Sequence, residues 1–148
     1  YEGRLAADVI AGRDTAAVPK VIPVVEYTEP EIAWCGLTEN DARRENRSYE
    51  TVKYPWSASG RAATIGAGEG LTKLLVEPES KRVLGGAVVG AHAGKLISEI
   101  ALAIETGALA SDLALTVHPH PTLSETIREA ADAFYGRSTH IYRPRSHE

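Results

Sequence analysis

Apolar residues follow two rhythms along this chain. The first is helical: Leu5 and Val9, four apart within Glu2–Ile10, predict a helix that Gly12 stops. Residues 15–20 are small, polar and proline-punctuated and predict a linker. The spacing then shortens. Val21–Tyr27 predicts a strand, Thr28–Glu31 a turn and Ile32–Cys35 a second strand. "LTENDARREN" (37–46) predicts a helix that Thr38 can cap, with Asp41 three residues on, close to a capping box. Ser48–Trp56 alternates as a strand would, and residues 57–70, small and glycine-rich, predict mostly loop. Leu71–Val76 and Arg82–Ala91 predict a hairpin around Pro78–Lys81. The neighbouring glycines of its second strand predict a bulge or a close backbone approach.

Helical spacing returns at Leu96, Ile97, Ile100, Ala101 and Ile104 and ends at Gly107. Ser111 can cap a short helix over Asp112–Leu115. A last helix is expected to begin near Thr122, to turn Leu123, Ile127, Ala131 and Phe134 to one side, and to stop at Gly136. Residues 137–148 show no periodicity and predict a mobile tail. Strands and hairpins come first and helices later. That grouping predicts an α+β domain with a mostly antiparallel sheet and its helices packed on one face.

Composition narrows the picture. A chain of 148 residues suits one domain, which buries roughly 68–70% of the surface its unfolded form exposes. Aromatic residues make up only 6%, so an aliphatic core is expected. The net charge is −4 and no basic run forms a phosphate-binding stripe, which argues against nucleic acid as a partner. Cys35 is the only cysteine. It excludes an internal disulfide and an all-thiolate zinc site, and it fits a reducing, cytoplasmic setting. No apolar run reaches the roughly 18–20 residues needed to span a membrane, and no signal peptide is visible. The chain opens on Tyr1 and enters a helical pattern at once, which suggests a piece of a longer protein.

Several stretches invite a chemical reading. "GAGEG" (66–70) superficially resembles a nucleotide loop, but a dinucleotide fingerprint needs a strand before it and a helix after it, and here a strand follows. "GAHAGKL" (90–96) does run from strand to helix, yet its spacing is one residue short of a P-loop. Leu96 also stands where the magnesium-binding hydroxyl belongs, so His92 reads as a surface or interface residue. Cys35, in the apolar "IAWCGL", reads as a small buried hydrophobe.

The stretch richest in chemistry is "VHPHPTLSE" (117–125), which supports three readings. In the first, Thr122 and Glu125 form a capping box and the histidines are incidental. In the second, His118, His120 and Glu125 make a two-imidazole, one-carboxylate metal site, though the two prolines restrict how both rings turn inward. In the third, a carboxylate holds a histidine as a general base. The prolines would then fix the backbone path, and either X-Pro bond is a candidate for the cis form. Such a base needs a partner to deprotonate, and this chain offers no nucleophile and no cofactor loop.

The motif "HPHPTLSE" resembles the C-terminal active-site signature of the dihydrolipoamide dehydrogenases, usually His-Ala-His-Pro-Thr-Leu-Ser-Glu. "YTEPEIAWCGLTENDAR", "YPWSASGRA", "GLTKLLVEPESKRVLGGAVVG" and "EIALAIETGALASDLALTVHPHPTLSE" are similar to consecutive segments of that family's interface domain. "YEGRLAADVIAG" is similar to the tail of its preceding FAD domain. The resemblance implies residues 1–14 as the tail helix of a missing FAD/NAD domain, 15–20 as linker, 21–136 as the interface domain and 137–148 as a tail.

It further implies a homodimeric flavoprotein that reoxidises dihydrolipoamide on the lipoyl domains of 2-oxo acid dehydrogenase complexes. Electrons pass through a disulfide and FAD to NAD, with neither cofactor expected on this chain alone and no metal. By motif position His120 and Glu125 are the catalytic pair lent to the partner subunit's disulfide, and His118 and Pro121 line the same pocket. Pro119 stands where the family usually has Ala, which removes an N–H and stiffens the approach to His120. Cys35 replaces a usual aliphatic residue. Glutathione reductases carry a similar His-Pro-Thr but usually a doubled Glu, so an interface domain of another flavoprotein disulfide reductase is the nearest alternative. A second alternative is a dimerisation module with an idle pair, using the Leu96–Ile104 stripe and the Leu123–Phe134 helix as interface faces.

Overall fold

A computed structural model describes residues 1–13 and 18–141 of the chain. The first half of the expected linker (15–17) and the end of the expected tail (142–148) lie outside the described residues. Five strands form one sheet: β1 (Val24–Glu26), β2 (Ile32–Gly36), β3 (Glu50–Pro55), β4 (Leu71–Val76) and β5 (Val83–Val89). Their order is β1-β2-β5-β4-β3 and every pairing is antiparallel. The predicted hairpin is β4–β5, and a register shift between Leu75 and Val76 supplies its irregularity.

The helices are α1 (Glu2–Ile10), α2 (Glu39–Arg44), α3 (Gly60–Thr64), α4 (Ala93–Thr106), α5 (Ala110–Leu115) and α6 (Glu125–Phe134). The two long helices of the domain share one face of the sheet. Gly86 faces Ile100 of α4, since a Cβ there would lie 2.9 Å from the isoleucine side chain. Thr72 faces α6, meeting the Thr126 hydroxyl at 2.8 Å. Gly86 pairs with Leu74, two residues from Thr72, so both contacts are on the same side of the pleat. Gly85 and Gly86 therefore mark the close backbone approach that their spacing predicts, with a Cβ at Gly85 only 2.1 Å from the Leu37 carbonyl oxygen. The other sheet face keeps a shallow depression of about 280 Å³ lined by Ile32, Trp34, Lys73, Leu75 and Ala87, among others.

Several expectations need correction. The core is not purely aliphatic: Trp56 and Tyr54 are its two largest fully buried side chains. Small neighbours make this possible. Gly70 and Gly90 flank the indole, and a Cβ on either would fall within 2.4 Å of it. Residues 57–70 are less loop than expected. A 3-10 turn (Trp56–Ala58) leads into α3, which Ser59 caps by accepting the Ala62 N–H at 3.3 Å. Ser111 does not cap α5 but lies inside it; Leu109 is the N-cap, and its N–H is received by Asp112 Oδ2 at 2.8 Å.

α6 starts at Glu125, three residues later than Thr122. The apolar faces of α4 and α6 are used in part by the domain itself, with Leu96, Ala101, Ile104 and Phe134 only half-buried and Leu102 exposed. Ile97, Ile100 and Ala103, like Ile127, Ala130 and Ala131, are buried in the domain's own core, where an isoleucine contributes about 1.5–3 kcal/mol. Thr38 caps α2 as expected, accepting the Asp41 N–H at 3.1 Å. α1 forms where its spacing predicts but buries none of its residues. The described part of the tail is tied down: Ser138 and His140 both bond the buried carboxylate of Glu129.

Candidate active site

The segment joining α5 to α6 runs along the domain surface and carries two histidines with opposite surroundings. The His118 side chain is only 5% exposed and the His120 side chain 79%. Proline follows each, and the His120–Pro121 peptide is cis. Pro119 offers no N–H, but its carbonyl oxygen accepts the Thr122 hydroxyl at 2.8 Å, which folds the segment toward α6. The Ser124 and Thr122 hydroxyls meet at 2.9 Å.

Glu125, the first residue of α6, serves two partners. Its Oε2 accepts the Thr122 backbone N–H at 2.8 Å, the reach-back half of a capping box. Its Oε1 lies 3.0 Å from His120 Nδ1. Partial burial is the largest single influence on this carboxyl and opposes its charge. The Thr122 N–H, the His120 ring and the nearby Arg128 together outweigh it and hold the group below its ordinary range. Glu125 is thus a carboxylate, and a carboxylate accepts. The proton of the shared bond belongs to Nδ1, which leaves the lone pair of a neutral ring on Nε2. Among the described residues, no side chain takes that nitrogen. His120 has the arrangement of a general base: one nitrogen oriented by a carboxylate, the other open. The capping and acid–base readings are therefore compatible, because each uses a different oxygen of Glu125.

His118 is committed elsewhere. Its Nδ1 lies 2.9 Å from the Thr116 carbonyl oxygen and its Nε2 2.8 Å from Glu99 Oε1, on α4. The two rings thus take different carboxylates, which breaks up the ligand set the metal reading needs. No group of three metal-ligating side chains occurs among the described residues. Glu99 drew no notice in the sequence, because it lies 19 residues before His118. Its only signal is a polar position beside the α4 stripe. Pro121 is exposed at the turn into α6.

The other tempting stretches are taken up by the fold. Gly70, which ends "GAGEG", presses on Trp56. In "GAHAGKL" the helix N-terminus is filled by the chain itself, since Glu31 Oε2 accepts the Gly94 N–H at 2.9 Å. A phosphate would have to displace that carboxylate, so neither stretch fits a nucleotide. His92 is exposed. Burial pushes the Cys35 thiol up to about 12, away from the thiolate form a nucleophile needs. No helix among the described residues is long and apolar enough to cross a membrane.

Comparison with known proteins bears on this site. Residues 22–131 match the family model of the pyridine nucleotide-disulphide oxidoreductase dimerisation domain. A dihydrolipoyl dehydrogenase of Haemophilus influenzae is 51% identical over 141 residues, 95% of this chain and 30% of the relative. One from Vibrio cholerae is 50% identical over the same lengths. The chain thus spans about 30% of the curated relatives it matches. Among solved structures, LpdA of Mycobacterium tuberculosis superposes with a TM-score of 0.81 at 28% identity, covering 90% of this chain and 29% of that one.

Proposed function

The chain belongs to the pyridine nucleotide-disulphide oxidoreductases as their dimerisation domain, and on that premise we propose that it serves a dihydrolipoyl dehydrogenase by supplying an acid–base pair to its partner subunit. The observation that carries this reading is the His120–Glu125 pair, bonded at 3.0 Å through Nδ1 with Nε2 open on an exposed ring. Such a base has no reactive thiol to act on among the residues described, since Cys35 is buried and its thiol is held neutral. An exposed base on a dimerisation domain suits a disulfide delivered by a second subunit.

In this mechanism Nε2 of His120 takes the proton of one dihydrolipoamide thiol. The resulting thiolate attacks a sulfur of the partner's disulfide. A new S–S bond forms, the old one breaks, and its electron pair leaves on the other cysteine. The imidazolium formed is stabilised by Glu125, which is already ionised. Attack by the second substrate thiol on the mixed disulfide would release oxidised lipoamide and leave the protein dithiol, whose reoxidation FAD and NAD would supply. Both cofactors belong to the rest of the longer protein, and no residue of this chain is assigned to either. Lipoyl domains of 2-oxo acid dehydrogenase complexes are the proposed source of substrate, in the cytoplasm.

The test is His120→Gln in the full-length flavoprotein. Flavin absorbance should be unchanged while dihydrolipoamide turnover falls about a hundredfold or more. Turnover within a few-fold of wild type would remove His120 from the mechanism.

A further inference from the structure

We propose that Glu99 and His118 form a positioning pair that holds the His118–Pro121 segment in the shape from which His120 meets Glu125; the proposal rests on the acid–base reading of His120. It begins with proton accounting. A carbonyl oxygen can only accept, so the His118 Nδ1–Thr116 bond requires the ring proton on Nδ1. The 2.8 Å contact between Nε2 and Glu99 then needs a second proton. It joins either an imidazolium to a carboxylate or a neutral ring to a carboxylic acid. In both forms the two ring nitrogens are engaged, so His118 cannot serve as the base. Its role is to anchor.

The anchor has leverage because of where it sits. Glu99 is in the middle of α4, whose Ile97 and Ile100 are locked into the sheet. His118 is nearly buried against that helix. Between its ring and Thr122 lie Pro119, His120 and Pro121, and both prolines have φ fixed by their rings. At the far end, Pro119 O and Glu125 Oε2 hold Thr122. The segment is therefore clamped at both ends with little freedom between them, and the intervening side chain, His120, stands out to solvent beside Glu125. Releasing the Glu99 end frees the approach to His120 without altering His120 or Glu125 themselves. Misplacement of a reacting group by about 1 Å can cost a hundredfold in rate.

The experiment compares Glu99→Gln with Glu99→Met in the full-length flavoprotein, measuring kcat, KM and amide hydrogen exchange at Thr122. Gln can bond the ring whether Nε2 carries a proton or not, whereas Met keeps the bulk and loses the bond. Glu99→Met should lower kcat about tenfold or more with KM for dihydrolipoamide within about twofold, and should speed exchange of the Thr122 amide. Glu99→Gln should restore kcat to within about threefold of wild type and preserve that protection. The double variant Glu99→Met/His118→Leu should be no worse than the weaker single, because the two act as one unit. Should the Met variant not fold, Glu99→Ser takes its place, being polar but too short to reach the ring.

Wild-type kcat and Thr122 exchange in Glu99→Met would overturn the proposal, as would a Gln variant impaired as badly as Met. The acid–base reading fails separately, on the turnover of His120→Gln. In that event Thr122 exchange still decides whether Glu99 anchors the segment.

Discussion

Trp56 donates its indole N–H to the Thr72 hydroxyl across 2.9 Å, and both side chains are wholly buried. Indole only donates, and the Leu123 carbonyl at the other end only accepts, so the chain between them runs in one direction. Thr72 must donate to Thr126 (2.8 Å), and Thr126 to the Leu123 carbonyl (2.7 Å). The network therefore ties the 3-10 turn and β4 to the approach of α6, next to Glu125.

This direction ranks two substitutions. Thr72→Val strips the buried indole N–H of its only acceptor, at an expected cost of about 1–3 kcal/mol. Thr126→Val takes the acceptor from the Thr72 hydroxyl, but it should cost less: a hydroxyl can rotate whereas the indole N–H is fixed, and the Leu123 carbonyl keeps the Thr126 backbone N–H at 3.1 Å. Urea unfolding of the two variants checks the order. A Thr126→Val variant less stable than Thr72→Val would contradict the network as drawn.

Glu125 should leave a pH signature in stability. Its carboxyl is held below the ordinary value of 4.5 in the fold, so the folded state binds fewer protons than the unfolded one in that range. Its stabilisation is therefore present above about pH 4.5 and is lost as the pH falls through the lower folded value. Glu125→Gln removes the charge at the helix N-terminus. It should reduce stability by about 0.3–1 kcal/mol at neutral pH, with the gap closing in acid. Thermal melts of both proteins between about pH 7 and pH 3 test this. A gap that widens on acidification would give the wrong sign.

Cys35 should be inert while the domain is folded. The residue is 2% exposed and burial pushes its thiol up to about 12. Labelling by a thiol reagent near pH 8 should be at least about a hundredfold slower in the native protein than in urea. Equal rates would show that β2 opens readily.

Where local pattern decides, the sequence was readable. The β4–β5 hairpin, the α4 stripe with its stop at Gly107, and the Thr38 cap all depend on residues within a turn or two of one another. Readings failed where a distant partner decides. Residues 57–70 look like loop because their compensation is remote: Trp56 is wedged between Gly70 and Gly90, and the chain after it can then coil into short helices. The α4 and α6 faces read equally well as interface or core. The sheet lying against them covers Ile97, Ile100 and Ile127, which amphipathicity alone does not foretell, since it does not say what covers the apolar side.

The sequence by itself determined the α+β class and pointed to the pairing of His120 with Glu125. The class follows from the order of strand and helix periodicities. The pairing was one of three readings that the spacing left open, and the resemblance to the family signature favoured it. Only the tertiary structure decided which groups each histidine meets. His118 and His120 are two apart and locally alike. α4, remote in sequence, reaches one of them with Glu99 and leaves the other its free nitrogen. Proton placement follows from which acceptors surround a ring, and those acceptors come from elements that only folding brings together.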